Sequence, residues 1–258
     1  MTERLPAWLD DIDLVVFDKD GTLIDFHAMW ETWVTDLAAR LGSATGRAVE
    51  ADLHRAMGTD PVSGRVLPDA PVADSIMPRL RALAVDVARA HGSTEADAEA
   101  AVGQAWRPPD PVATAQPLTD LSVLFRALRD AGRCVGVVTA DDRAPTKATL
   151  KALGVYRLVD AIVCADDDLS PKPAPDMLLH LCREVGVAPS RTAMIGDTPA
   201  DLLMGLRARA ALVVGVLSGA GDRMALAPLA DVLIPGVAEL LVQRGPVRSQ
   251  PLAPVARR

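Results

Sequence analysis

Aromatic residues are scarce in this chain, 3% of 258 positions with a single tyrosine. Ala, Leu and Val supply the apolar content instead, which suits helices packed on a buried sheet better than a β-sandwich. Cysteine is sparse too. Cys134, Cys164 and Cys182 are odd in number and outside any CxxC spacing, which excludes a disulfide framework or a cysteine-ligated zinc site and reads as reduced core thiols. No run of about 18 apolar residues is present to span a bilayer. Met1 to Asp11 lacks the apolar stretch of a secretory leader. The expectation is a soluble, cytoplasmic protein with no membrane partner. Clusters of Lys and Arg are also missing, and with a net charge of -7 a nucleic-acid partner is excluded, because phosphate backbones are gripped by clustered cations.

What is present is a chain half apolar by composition, long enough for one large domain or a core carrying an inserted smaller one. From Pro117 onward, apolar runs alternate with helical patterns. The runs are Cys134 to Thr139, Ala161 to Cys164, Thr192 to Ile195, Leu212 to Val216 and Val232 to Ile234. Between them, Leu118 to Ala131, Arg143 to Leu153, Ala174 to Val185 and Ala200 to Ala208 are long enough for helices crossing a parallel sheet. This predicts an α/β fold with a Rossmann-like parallel sheet.

One further apolar run, Ile12 to Phe17, stands far upstream. Nearly a hundred residues of different character separate it from the rest, and they read as an insertion. There Trp30, Trp33, Val34, Leu37 and Leu41 recur at helical spacing, with further helical patterns over Arg47 to Met57, Val72 to Ala90 and Thr94 to Trp106. Thr94 with Asp97 suits a capping box. The proline-dense Arg107-Pro108-Pro109-Asp110-Pro111 reads as a stiff connector. The expected organisation is therefore a discontinuous core, residues 1–24 and 117–243, with a helical insertion at 25–116. A tail at 244–258, aperiodic and carrying four Arg, reads as disordered.

Four short segments fall at or just past the carboxyl ends of expected strands, where ligands bind in open α/β sheets. They are Asp18-Lys19-Asp20-Gly21-Thr22, Thr139-Ala140-Asp141, Ser170-Pro171-Lys172-Pro173, and Gly196-Asp197-Thr198-Pro199-Ala200-Asp201. Two carboxylates at one strand mouth let one attack while the other handles protons, and Gly21 permits the turn out of the strand. The bland alternative for each acid is a turn or helix-cap device. Asp141 and Asp142 are read as helix caps.

In this order the motifs resemble the haloacid dehalogenase superfamily, specifically its phosphoglycolate phosphatase-like branch, over almost the whole chain apart from the tail. The resemblance implies that the insertion is a helical cap and that Asp18 is the nucleophile, forming an aspartyl phosphate. It implies that Asp20 is the acid and base, and that Thr139, Lys172 and backbone N-H groups near Asp20 and Ala140 hold the phosphoryl oxygens. It further implies a Mg²⁺ bound by Asp18, the Asp20 main-chain carbonyl and Asp197, with Asp201 in support. Arg65, in a loop between cap helices, is the candidate contact for the substrate's non-reacting end. The implied activity is hydrolysis of a small phosphorylated metabolite, with phosphoglycolate as the nearest type.

Charge counting supports this independently. Asp18, Asp20, Asp197 and Asp201 set four negative charges against one from Lys172, so a phosphate dianion would be repelled unless a divalent cation were present. One carboxyl should start protonated, and Asp20 has use for the proton, so its pKa is expected to be raised. Two alternatives remain open: a sugar phosphomutase built on the same motifs, and a non-catalytic binding protein. The resemblance itself argues against dehalogenase activity, since family members that displace halide lack the second Asp, which is present here as Asp20. Phosphonate cleavage would need a cap lysine, and residues 25–116 contain none.

Overall fold

The computed structural model describes residues 5–63, 65–67, 70–74, 77–110 and 112–241. The expected disordered tail, 244–258, lies outside the described residues. Six parallel strands form one sheet: β1 (Leu14–Phe17), β2 (Cys134–Val138), β3 (Ala161–Val163), β4 (Thr192–Gly196), β5 (Leu212–Val216) and β6 (Val232–Ile234). Their order is β3-β2-β1-β4-β5-β6, a doubly wound Rossmann-like arrangement. Strands covered on both faces read as continuous apolar runs, and every residue of β1 is buried.

The register decides what meets at the strand ends. Phe17 pairs with Val137 of β2 on one side and with Ile195 of β4 on the other. Asp18, Thr139 and Asp197 therefore leave the sheet side by side. The chain steps outward from β1 to β2 and β3, then returns to the far side of β1 for β4. That reversal opens the crevice in which doubly wound sheets hold ligands.

The chain divides into two units, Met1–Asp25 with Ala115–Arg258, and Phe26–Thr114. The second unit is helical: α1 (Phe26–Thr45), α2 (Glu50–Met57), α3 (Pro71–Asp74), α4 (Met77–Ala90) and α5 (Glu95–Ala105). The continuous pattern expected over Val72 to Ala90 falls on α3 and α4, and residues 75 and 76 between them lie outside the described set. Trp30 and Trp33 belong to this unit's core, stacked edge-on at 5.5 Å, and Trp33 meets Trp106 at 5.2 Å. Thr94 caps α5 by accepting the Asp97 N-H at 3.2 Å.

In the first unit the chain leaves and rejoins along paired backbone. Ile24 bridges Pro117, the Asp25 N-H donates to the Gln116 carbonyl at 2.7 Å, and the Leu118 N-H donates to the Leu23 carbonyl at 3.0 Å. The crossover helices are α6 (Leu121–Asp130), α7 (Arg143–Ala152), α8 (Asp176–Val185) and α9 (Pro199–Arg207), with a short α10 (Arg223–Leu226). Leu121, Leu124, Phe125 and Leu128 of α6 pack with Val15 and Phe17 on one sheet face. Leu178 and Leu181 of α8 and Leu202 of α9 pack with Leu14 and Val16 on the other. Alternate residues of β1 thus serve two cores. Cys164 and Cys182 are buried and Cys134 half-buried, all as free thiols. No described helix is long and apolar enough to cross a membrane.

Candidate active site

Just past β1 the backbone continues one more ladder step, with the Asp18 N-H donating to Ile195 at 2.9 Å, then turns. Gly21 makes the turn at φ +84°, a left-handed conformation that costs glycine little. A Cβ there would also overlap the Asp197 carboxylate.

Lys172, from the loop before α8, reaches back across the strand ends. Its Nζ lies 2.5 Å from Asp18 Oδ1, 2.7 Å from Asp201 Oδ1, and 2.9 Å from the Val138 carbonyl. Asp18, Asp197 and Asp201 offer carboxylate oxygens within 4.8 Å of one another. All three are buried. Asp201 does two jobs: through Oδ2 it closes a capping box with Thr198 at the start of α9, while Oδ1 faces Lys172. The N-cap of α9 is Thr198, one residue beyond Asp197.

Asp197 is held on both oxygens. The Thr22 hydroxyl donates to Oδ1 at 3.1 Å and the Ala220 N-H to Oδ2 at 2.8 Å. Ala220 belongs to the loop after β5, where the Ser218 hydroxyl also donates to the Gly21 carbonyl at 2.6 Å. A Cβ on Gly219 would overlap Asp197 Oδ2. This loop carries no motif of its own, and sequence reasoning missed it. Thr139 is buried, and its hydroxyl accepts the Asp141 N-H at 3.1 Å. Ala140 is exposed beside it.

Burial dominates the electrostatics. It pushes the Asp18 carboxyl up to about 7, with Lys172 opposing and Asp201 and Asp20 adding repulsion. Burial likewise raises Asp197 well above the usual carboxylate range, helped by Asp18 and Asp201. Asp20 is raised as well, again by burial, against the pull of Lys19. Lys172 stays charged, because the Asp18 and Asp201 carboxylates outweigh its desolvation. Asp18 and Asp197, buried and resisting ionisation, share with Asp201 a cluster in which Lys172 is the ammonium, which marks a deficit of positive charge. Hard oxygen donors in that setting fit a divalent cation of the Mg²⁺ kind. The Asp20 carboxylate is not among the clustered ligand atoms, so only its main-chain carbonyl could join them.

The charge count omitted Lys19. It is buried, with Nζ 2.7 Å from Asp20 Oδ1 and 2.9 Å from Asp141 Oδ2. Burial alone would drive this ammonium toward neutrality, but the two carboxylates hold it above the ordinary lysine value. Asp141 is therefore an ion-pair partner and not a helix cap. Asp142 occupies the N-cap position of α7 without a side-chain cap bond, and Asp166 instead accepts the Arg143 N-H at 2.9 Å. A lysine between two aspartates was the available signal, but nothing in one sequence says that its side chain turns inward. Arg65 is exposed within the helical unit and is not one of the clustered residues.

A parallel sheet with three buried acids and a lysine converging at its carboxyl edge is an α/β protein whose site can hold a cation beside an anionic group. Residues 12–209 match the family model described as haloacid dehalogenase-like hydrolase, and the chain belongs to that family. Among curated relatives, it is 30% identical over 91 residues to the putative pyrophosphatase PpaX of Clostridium perfringens. That match covers 35% of this chain and only 42% of the relative. It is also 30% identical over 228 residues to the validoxylamine A 7'-phosphate phosphatase of Streptomyces hygroscopicus subsp. limoneus, covering 88% of this chain and 95% of that one. Among solved structures, a putative beta-phosphoglucomutase from Thermotoga maritima superposes with a TM-score of 0.66 at 18% identity, covering 89% of this chain and 97% of that one. That likeness concerns the fold.

Proposed function

We propose that this protein is a Mg²⁺-dependent phosphatase that hydrolyses a small phosphomonoester through an aspartyl phosphate on Asp18. The observation that carries the reading is the placement of Asp18 at the strand mouth, with Lys172 on one oxygen and Asp197 and Asp201 beside it. Full-length similarity to a phosphatase of a small-molecule phosphate supports it.

In the first half-reaction an Asp18 oxygen forms a bond to phosphorus while the ester P-O bond breaks. Asp20 gives its proton to the departing oxygen. In the second, Asp20 takes a proton from water as that water attacks the phosphorus, releasing inorganic phosphate and freeing Asp18. Lys172 and Thr139 hold the phosphoryl oxygens, with backbone N-H groups near Asp20 and Ala140. Asp18, Asp197 and the Asp20 main-chain carbonyl, with Asp201 in support, would hold Mg²⁺, which would supply charge neutralisation. Loose phosphoryl-transfer transition states depend mainly on such positioning and neutralisation. The substrate class is a small phosphorylated metabolite, with phosphoglycolate as one type to test.

Release of phosphate from p-nitrophenyl phosphate with and without Mg²⁺ tests the reading. Activity should require the metal and vanish in Asp18→Asn, and undiminished turnover in that variant would exclude the chemistry. Conversion of glucose 1-phosphate to glucose 6-phosphate without net phosphate release would instead identify a phosphomutase.

A further inference from the structure

Lys19 stands between the two aspartates of the first motif and bridges two loops. Its ammonium reaches Asp20, beyond β1, and Asp141, beyond the neighbouring β2, while its side chain is only 3% exposed. Lysine is almost never buried to this degree without a partner. Packing alone does not call for it, since apolar residues of similar volume replace buried ion pairs at little or no cost in stability. A flexible four-carbon stem gains a single geometry only when its head is anchored, and Asp141 is the second anchor.

We propose that Lys19, braced by Asp141, is the positioning residue that aims Asp20 at the leaving group. This rests on the phosphatase reading above. Lys19 occupies Asp20 Oδ1, which assigns the transferable proton to Oδ2. That proton passes to the ester oxygen as the P-O bond breaks and is recovered from water in the second half-reaction. Lys19 holds Oδ1 throughout, touches no reacting atom, and acts through Asp20.

The test measures kcat/KM, which reports the phosphorylation half-reaction, at saturating Mg²⁺. Its substrates are a series of substituted phenyl phosphates and one alkyl phosphate. A good leaving group such as p-nitrophenolate departs without a proton, whereas an alkoxide requires one. Lys19→Met is expected to lose about 10-fold or less on p-nitrophenyl phosphate and roughly 10²- to 10³-fold on the alkyl ester, within the usual range for a proton-donor contribution. Asp141→Asn should steepen the leaving-group dependence in the same direction by less. The double variant should match Lys19→Met, because the two residues act as one unit.

A loss uniform across leaving groups, or no loss, in both single variants would overturn the proposal. Should thermal melting show Lys19→Met unfolded, Asp141→Asn decides alone, its side chain being 43% exposed. A wild-type protein without Mg²⁺-dependent turnover of any ester would refute the phosphatase reading itself, a failure distinct from a uniform loss.

Discussion

Lys172 Nζ lies 2.5 Å from Asp18 Oδ1 although 154 positions separate the two residues, and the same ammonium meets Asp201 at 2.7 Å. One cation therefore stands between two buried carboxylates. Removing it leaves both without a counter-charge, which typically costs about 3–5 kcal/mol. Lys172→Met is expected to lose stability on that scale at pH 8 in metal-free urea denaturation. The loss should be smaller at pH 5, where Asp18 takes up a proton. Equal losses at both pH values would show that the pair does not govern this region.

Asp18 itself should make metal-free stability depend on pH. Its folded pKa of about 7 stands above the ordinary 3.8, so the folded chain holds the proton more tightly than the unfolded one. The resulting stabilisation is complete below 3.8 and lost as pH rises through about 7. Asp18→Asn lacks this loss, so the melting temperature of the variant should gain on the wild type between pH 5 and pH 8. A constant difference across that window would contradict the assignment. Saturating Mg²⁺ should remove the wild-type deficit at pH 8.

Gly219 approaches Asp197 so closely that a methyl group would displace the carboxylate. Gly219→Ala is expected to weaken Mg²⁺ binding by about 10- to 100-fold, the usual effect of disturbing the groups that orient a metal ligand. Titration calorimetry would measure it, with far-ultraviolet circular dichroism to check the fold. Thr22→Val, which removes one of the two hydrogen bonds to Asp197, should act in the same direction with smaller size. Unchanged affinity in both would sink the role given to Asp197.

In the helical unit, Trp33 packs edge-on against both Trp30 and Trp106 and donates its indole N-H to the Arg107 carbonyl at 2.8 Å. Trp33→Ala should destabilise this unit by about 3–5 kcal/mol, and Trp33→Phe by clearly less. Three of the four tryptophans lie in this unit, so urea unfolding followed by their fluorescence reads the effect. An alanine variant as stable as wild type would remove Trp33 from that core.

The class of fold was legible because a parallel strand is covered on both faces and so prints an unbroken apolar run. Leu212–Val216 and Val232–Ile234 coincide with the expected runs, and Ile12 to Phe17 shortens by two residues to Leu14–Phe17. The helices were legible through their 3.6-residue spacing, as in Leu121, Leu124, Phe125 and Leu128. Three of the four motifs could be read because each stands at the end of such a run, which puts Asp18, Thr139 and Asp197 at equivalent edges, whereas Lys172 lies several residues beyond β3 (Ala161–Val163).

Local pattern thus determined which residues stand at strand ends and which chemical groups they bring. It did not determine which of them touch. That β4 returns to lie against β1, so that Asp197 comes beside Asp18 and Lys172 reaches both Asp18 and Asp201, follows from sheet order and register. Both depend on how whole strands and helices pack together. The inward turn of Lys19 toward Asp20 and Asp141, and the Gly219 loop closing on Asp197, were decided in the same way. A charged side chain enters a low-dielectric interior only where partners wait, and the distant ones here, Asp201 at the start of α9 and Asp141 beyond β2, lie on elements whose position no stretch of neighbouring residues encodes.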